Sequence, residues 1–125
     1  MTDGPLMSAA AARVGSAVVL TVGGEVDLYT APQLVDTVVA ALHPPGGGTP
    51  AGTPVESVVA DLTEVAFLSS AGLGTLVALA TRLGDDGIVL RLVAGGNKAV
   101  TRPWTAMHLG DRFRLYPDLP TALDG

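Results

Sequence analysis

Cysteine is absent from the 125-residue chain, which excludes disulfide bracing, thiolate metal sites and thiol-based redox control. Basic residues are few: seven Lys and Arg stand against twelve Asp and Glu, for a formal charge of −5. With no basic run, the chain offers nucleic acid and anionic lipid little to hold, and no direct nucleic-acid binding is expected. Long apolar runs are missing as well, since no window approaches the ~18 uninterrupted apolar residues of a membrane span. The opening MTDGPLMSAAAARVG has neither the basic start nor the continuous apolar centre of a secretory signal. The expectation is a cytoplasmic protein without membrane insertion.

Catalytic and metal-binding patterns are equally scarce. His43 and His108 match none of the usual zinc spacings, and a serine hydrolase would need a patterned base and a G-x-S-x-G elbow, which the chain lacks. The glycine-rich stretch GGGTPAGTP contains no G-x-x-x-x-G-K-[ST] pattern and precedes a strand rather than a helix, so it reads as a linker. Neither an enzyme nor a cofactor is expected.

What is present is a composition of 48% hydrophobic and 15% charged residues, which fits one compact domain. Residues 1–8 read as a flexible tail and 9–125 as the domain. The alanine-rich 9–14 is a weak strand on propensity, whereas the β-branched SAVVLTV at 16–22 is a strong one. Gly24-Glu25-Val26-Asp27 reads as the chain leaving the sheet. Thr30 followed by Gln33 predicts a capping box for a first helix, with Pro32 tolerated in its first turn and Leu34, Val35, Val38, Ala41 and Leu42 on its apolar face. That helix stops at His43-Pro44-Pro45, and a Gly/Pro-rich loop occupies 43–54.

A second buried strand is expected to end at Asp61, with a short link to Phe67 and Leu68. Beyond it, Leu73, Leu76, Val77, Ala80 and Leu83 recur with the period of one helical face, which makes Ser69 or Ser70 the cap or first residue of a helix. Residues 88–93 read as a further strand. Val100, Trp104 and Met107 share a helical face, and Pro103 places the regular start of that helix near Arg102 or Pro103. Residues 113–116 form a short edge strand, and Asp118 caps a last helical turn through Leu123. The order ββαβαβαβα is that of an α/β fold, a mixed sheet of four to five strands with helices packed on it.

A serine at a helix start has a structural explanation, since its hydroxyl accepts a hydrogen bond from an unpaired N–H of the first turn. It can also be a site of phosphorylation, because a phosphate there meets the positive end of the helix dipole and free N–H donors. On spacing alone both readings stand. Gly72 and Gly74 each cost the helix roughly 1 kcal/mol relative to Ala. Close approach of a partner and close packing on the sheet explain them equally well.

The stretch Asp61-Leu62-Thr63-Glu64-Val65-Ala66-Phe67-Leu68-Ser69-Ser70-Ala71-Gly72-Leu73-Gly74 closely resembles the signature of the STAS domain, shared by bacterial anti-sigma-factor antagonists and the cytoplasmic tails of sulfate transporters. Gly23-Gly24-Glu25-Val26-Asp27 is a second matching block. The resemblance implies a STAS-like fold in which Ser70 is the residue phosphorylated by an ATP-dependent anti-sigma kinase. Antagonists often have Asp just before the acceptor and Ser or Thr just after it, where this chain has Ser69 and Ala71, so Ser69 is the second choice. The resemblance also places Asp27 near the phosphoacceptor, in kinase recognition.

The expected partner surface comprises Asp27, Thr30, Asp61, Ser69, Ala71, Gly72, Leu73 and Gly74. The partner would be an anti-sigma factor of the GHKL-type serine kinase class, with a phosphatase to reverse the mark. Unmodified protein would bind that partner and free a sigma factor, and phosphate on Ser70 would end the complex. The alternative is a STAS subunit docking within a membrane transporter such as a phospholipid-transport ATPase. A nucleotide-binding module is a third option.

Overall fold

The computed structural model describes residues 6–43, 54–109 and 114–124. Most of the Gly/Pro-rich loop, residues 1–5 of the expected tail, and Phe113 lie outside them. The elements follow the expected order: β1 (Met7–Val14), β2 (Ala17–Val26), α1 (Ala31–Leu42), β3 (Ser57–Leu68), α2 (Ser70–Asp85), β4 (Val89–Val93), α3 (Lys98–Ala106), β5 (Leu115–Tyr116) and α4 (Leu119–Asp124). The sheet runs β1-β2-β3-β4-β5. β1 is antiparallel to β2, and every other neighbour is parallel. The α/β reading therefore holds, with five strands.

Alternation along the strands sorts their side chains into two layers. On one face Val18, Leu20, Val22, Val58, Ala60, Leu90 and Leu92 meet the buried sides of α1, α2 and α3 in the main core. On the other, Ala17, Val59, Val93 and Tyr116 pack under Ala122, Leu119 and Leu123 of α4. The α4 helix is held at its start by Asp118, which accepts from the Thr121 N–H at 2.9 Å. Hydrogen bonds from Thr121, through its hydroxyl and then its backbone, hold the Asp118 carboxyl below its ordinary value of 3.8. A depressed carboxylate stabilises the fold above its unfolded-state pKa, and this contribution is lost as pH falls through the lower folded value. Amide protection in α4, taken relative to the intrinsic exchange rate at each pH, is therefore expected to fall on acidification before that in α2, and Asp118→Ala should remove the difference.

Several boundaries differ from expectation for physical reasons. β1 starts at Met7, inside the expected tail, because the Met7 side chain is fully buried in the main core. β2 does not leave the sheet at Gly24. It continues to Val26, with Gly24 at φ +84, where a Cβ would collide with the Leu6 carbonyl oxygen. β3 does not stop at Asp61 but runs on to Leu68. Two register shifts, between Thr21 and Gly23 and between Gly24 and Glu25, each give β3 an extra residue over β2. The bulges turn the usual alternation into burial of Leu62, Val65 and Leu68, every third residue, a pattern that does not resemble a strand.

α3 begins well before Pro103, which sits inside it. Asn97 caps the helix by accepting from the Ala99 N–H at 3.0 Å, and burial of Val100 and Trp104 holds it despite the bond lost at the proline. Met107, expected on the buried face, is exposed at the C-cap, and His108 takes the left-handed turn at φ 54.

Candidate functional site

The site grows from the place where β2 and β3 end side by side. Val26 pairs with Leu68, and the Ser69 N–H donates to the Val26 carbonyl at 2.9 Å. The chain turns into α2 at that point. Ser69 is the N-cap: its backbone is extended and its hydroxyl accepts from the Gly72 N–H at 3.0 Å. Ser70 is the first helical residue, exposed, and its hydroxyl makes no hydrogen bond to any described residue. The two adjacent hydroxyls are thus unequal, one occupied in holding the helix and one presented to solvent.

Gly72 explains why the helix can start so close to the sheet. A Cβ at this position would lie 2.6 Å from the Val26 carbonyl oxygen, so only glycine fits. Gly74 has open space around its Cα and faces outward. The two glycines of the signature therefore have different causes. Leu73, one residue from each, is fully buried in the main core. Gly72 and Leu73, expected on the partner surface, are both buried against the sheet and the core. Of that segment only Ser70, Ala71 and Gly74 are exposed, and they form a small, uncharged surface.

The second part of the site is the turn from β2 into α1. Asp27 Oδ1 accepts from the N–H groups of Tyr29, at 2.9 Å, and Thr30, at 3.0 Å. Thr30 Oγ1 donates to the Glu25 carbonyl at 2.8 Å and accepts from the Asp27 N–H at 2.9 Å. The Ala31 N–H donates to the Asp27 carbonyl, also at 2.9 Å. Thr30 is the N-cap residue by position, but it makes no capping hydrogen bond and there is no capping box with Gln33. Its hydroxyl is committed to the turn behind it, and Asp27 organises that turn. Both residues thus have structural work, and they hold Leu28 and Tyr29 outward. Because Asp27 follows Val26, the turn lies beside Ser69.

Asp61 is not part of this cluster. It pairs across the sheet with Thr21 and Val93, and its carboxylate accepts from the N–H and hydroxyl of Thr63. Leu68 lies seven steps further along β3, about 23 Å at the usual rise. The position of Asp61 in the middle of β3 keeps it apart from Ser69 and Ser70.

Sequence reading missed Asn97. Its amide donates to the carbonyls of Leu62, Thr63 and Val65 at 3.0, 3.3 and 2.7 Å, which ties the start of α3 to the bulged part of β3. The available signal was that it is the chain's single asparagine, placed after Gly95-Gly96. Leu28 and Tyr29 were also missed, being apolar residues in a turn with no periodicity to mark them.

Among the described residues no group of His, Asp and Glu could hold a metal ion, and no helix is long and apolar enough to cross a membrane.

The family model described as the STAS domain matches residues 8–122. RsfB, an anti-sigma-F factor antagonist of Mycobacterium tuberculosis, is 38% identical over 107 residues, 86% of this chain and 79% of that protein. Among solved structures, an anti-sigma factor antagonist from Mycobacterium paratuberculosis superposes with a TM-score of 0.77 at 31% identity, covering 94% of this chain and 92% of that one. The Bacillus cell fate determinant SpoIIAA in its phosphorylated form shares the fold, with a TM-score of 0.63 at 17% identity over 94% of this chain and 97% of that one.

Proposed function

The chain belongs to the STAS domain family, and on that premise we propose that it is an anti-sigma-factor antagonist switched by phosphorylation of Ser70. Unmodified, it binds an anti-sigma factor of the GHKL-type serine kinase class and so frees a sigma factor. Its relatives in two mycobacterial species carry the antagonist description. The observation that carries the switch is the division of labour between Ser69 and Ser70. Ser69 Oγ is held as the cap, while Ser70 is exposed on the first turn of α2 with its hydroxyl uncommitted.

A phosphate on Ser70 would sit at the positive end of a long helix, so the modification need not unfold it. It would add nearly two negative charges to a surface otherwise made of Ala71 and Gly74. Small residues let a partner backbone come close, and a doubly charged group in that contact must be stripped of water without a cation to receive it. Binding is lost for that reason, while the fold stays intact. A phosphorylated form of this fold exists in Bacillus SpoIIAA, consistent with such tolerance.

The test is the affinity of Ser70→Asp and Ser70→Ala for the anti-sigma kinases encoded in the same genome, measured by calorimetry. Ser70→Asp should bind the partner about tenfold or more weakly, a cost of about 1.4 kcal/mol, and Ser70→Ala should bind as the unmodified protein does. Equal affinity of the Asp variant and the wild type refutes the switch.

A further inference from the structure

Four of the large apolar side chains that stay exposed lie at the Ser70 end of the sheet: Leu6, Leu28, Tyr29 and Phe67. Tyr29 is 87% exposed and Leu28 64%. They are not placed there by a loose loop. The Asp27 carboxylate accepts from the Tyr29 and Thr30 N–H groups and the Thr30 hydroxyl closes the turn around Leu28, so the backbone that carries both side chains is held in place. Phe67 faces Glu25 across the β2–β3 pair, and the Glu25 N–H donates to the Leu6 carbonyl at 2.8 Å, which brings these three residues together. A turn already closed in the free protein costs little ordering on being covered, and tyrosine is enriched among residues that dominate interface energy.

Charge identifies what would cover them. Between Arg13 and Arg82 the chain contains no Lys or Arg, so β2, α1 and β3 carry carboxylates alone and α2 is uncharged up to Arg82. Glu25, Asp27 and Glu64 belong to the strand ends and turn that carry the apolar group, while Lys98 and Arg102 are carried by α3. Arg13, Arg82 and Arg114 lie towards the opposite end of the sheet.

We infer that Leu28 and Tyr29, flanked by Phe67 and rimmed by Glu25 and Glu64, are the affinity anchor for the anti-sigma partner, whose matching surface is an apolar pocket with a basic rim. The inference rests on the Ser70 partner surface proposed above and divides it in two. The anchor supplies affinity and the acidic rim steers association, while Ser70, Ala71 and Gly74 supply the switch. A basic rim would welcome a phosphate, so release must come from the close contact at Ser70 and not from the rim.

The test places the photo-crosslinker p-benzoylphenylalanine at Tyr29, at Ala71 and, as a remote control, at Ala12 of β1, in cells of the host organism. Captured proteins are identified by mass spectrometry. The same anti-sigma kinase should be captured from positions 29 and 71 and not from 12. Capture from 71 without 29 overturns the anchor and leaves the switch surface standing. Capture from neither overturns both.

With the captured kinase, Leu28→Ser/Tyr29→Ser should raise Kd about thirtyfold or more, with an unchanged melting curve because both side chains are exposed. Glu25→Gln/Glu64→Gln should slow association and flatten its dependence on salt. Wild-type affinity in the Leu28/Tyr29 variant overturns the anchor, and unchanged association kinetics overturn the basic rim.

Discussion

Gly72→Val is expected to destabilise the protein by about 3 kcal/mol or more, a large part of the 5–15 kcal/mol that holds a typical domain. The glycine lies where α2 meets the end of β2, and an added Cβ would fall 2.6 Å from the Val26 carbonyl oxygen and 2.9 Å from Val26 Cγ1. The carbonyl is backbone and already accepts from the Ser69 N–H, so neither side can yield without opening the turn that holds Ser69 and Ser70. Gly74→Ala should do the opposite. Its Cβ would meet open space, and alanine gains up to about 1 kcal/mol over glycine in a helix interior. Urea unfolding of the two variants should show opposite shifts in midpoint. A stable Gly72→Val would mean that α2 does not sit this close to the sheet.

The second large effect is expected at Asn97. Asn97→Ala removes the cap of α3, worth about 1 kcal/mol, together with the bonds its amide donates to β3. Each such hydrogen bond contributes about 1 kcal/mol, so a total loss of about 2–4 kcal/mol is expected. The consequence reaches the site, because the carbonyls of Leu62 and Val65 belong to the bulged run that carries β3 to Leu68 and Ser69. Asn97→Ala should therefore show raised amide exchange over residues 62–69 as well as in α3. Exchange confined to α3 would mean that the bulge holds itself.

Much of this arrangement was legible in the sequence because local and tertiary signals agreed. The i, i+3, i+4 spacing from Leu73 to Leu83 gave α2 and its buried face, and the hydroxyl pair gave its start. The β-branched runs gave β2 and the first half of β3. Reading failed where one residue served two ends. Gly23 and Gly24 looked like a strand terminus, but β2 continues through them to Val26 opposite the bulges of β3. Leu62, Val65 and Leu68 are buried every third residue because the register slips twice, so no period-2 pattern announced the strand.

Pro103 looked like a helix start because local chemistry forbids it mid-helix, and contacts made 30 or more residues away in sequence overrode it. In the site, the motif located Ser70 and Asp27, but burial could not be read from it. Gly72 and Leu73 share a signature with Ala71 and Gly74 yet face the core. Tyr29 belongs to no pattern at all, and its exposure emerged only with the turn that holds it.

The switch is tested most directly by the chemistry of Ser70 itself. The protein, with Ser70→Ala and Ser69→Ala beside it, is incubated with ATP, magnesium and the GHKL-type anti-sigma kinases of its genome, then analysed by intact mass and peptide mapping. The account predicts a single phosphate on Ser70, lost in Ser70→Ala and retained in Ser69→Ala. Phosphate on Ser69, or none from any of the kinases, would contradict it.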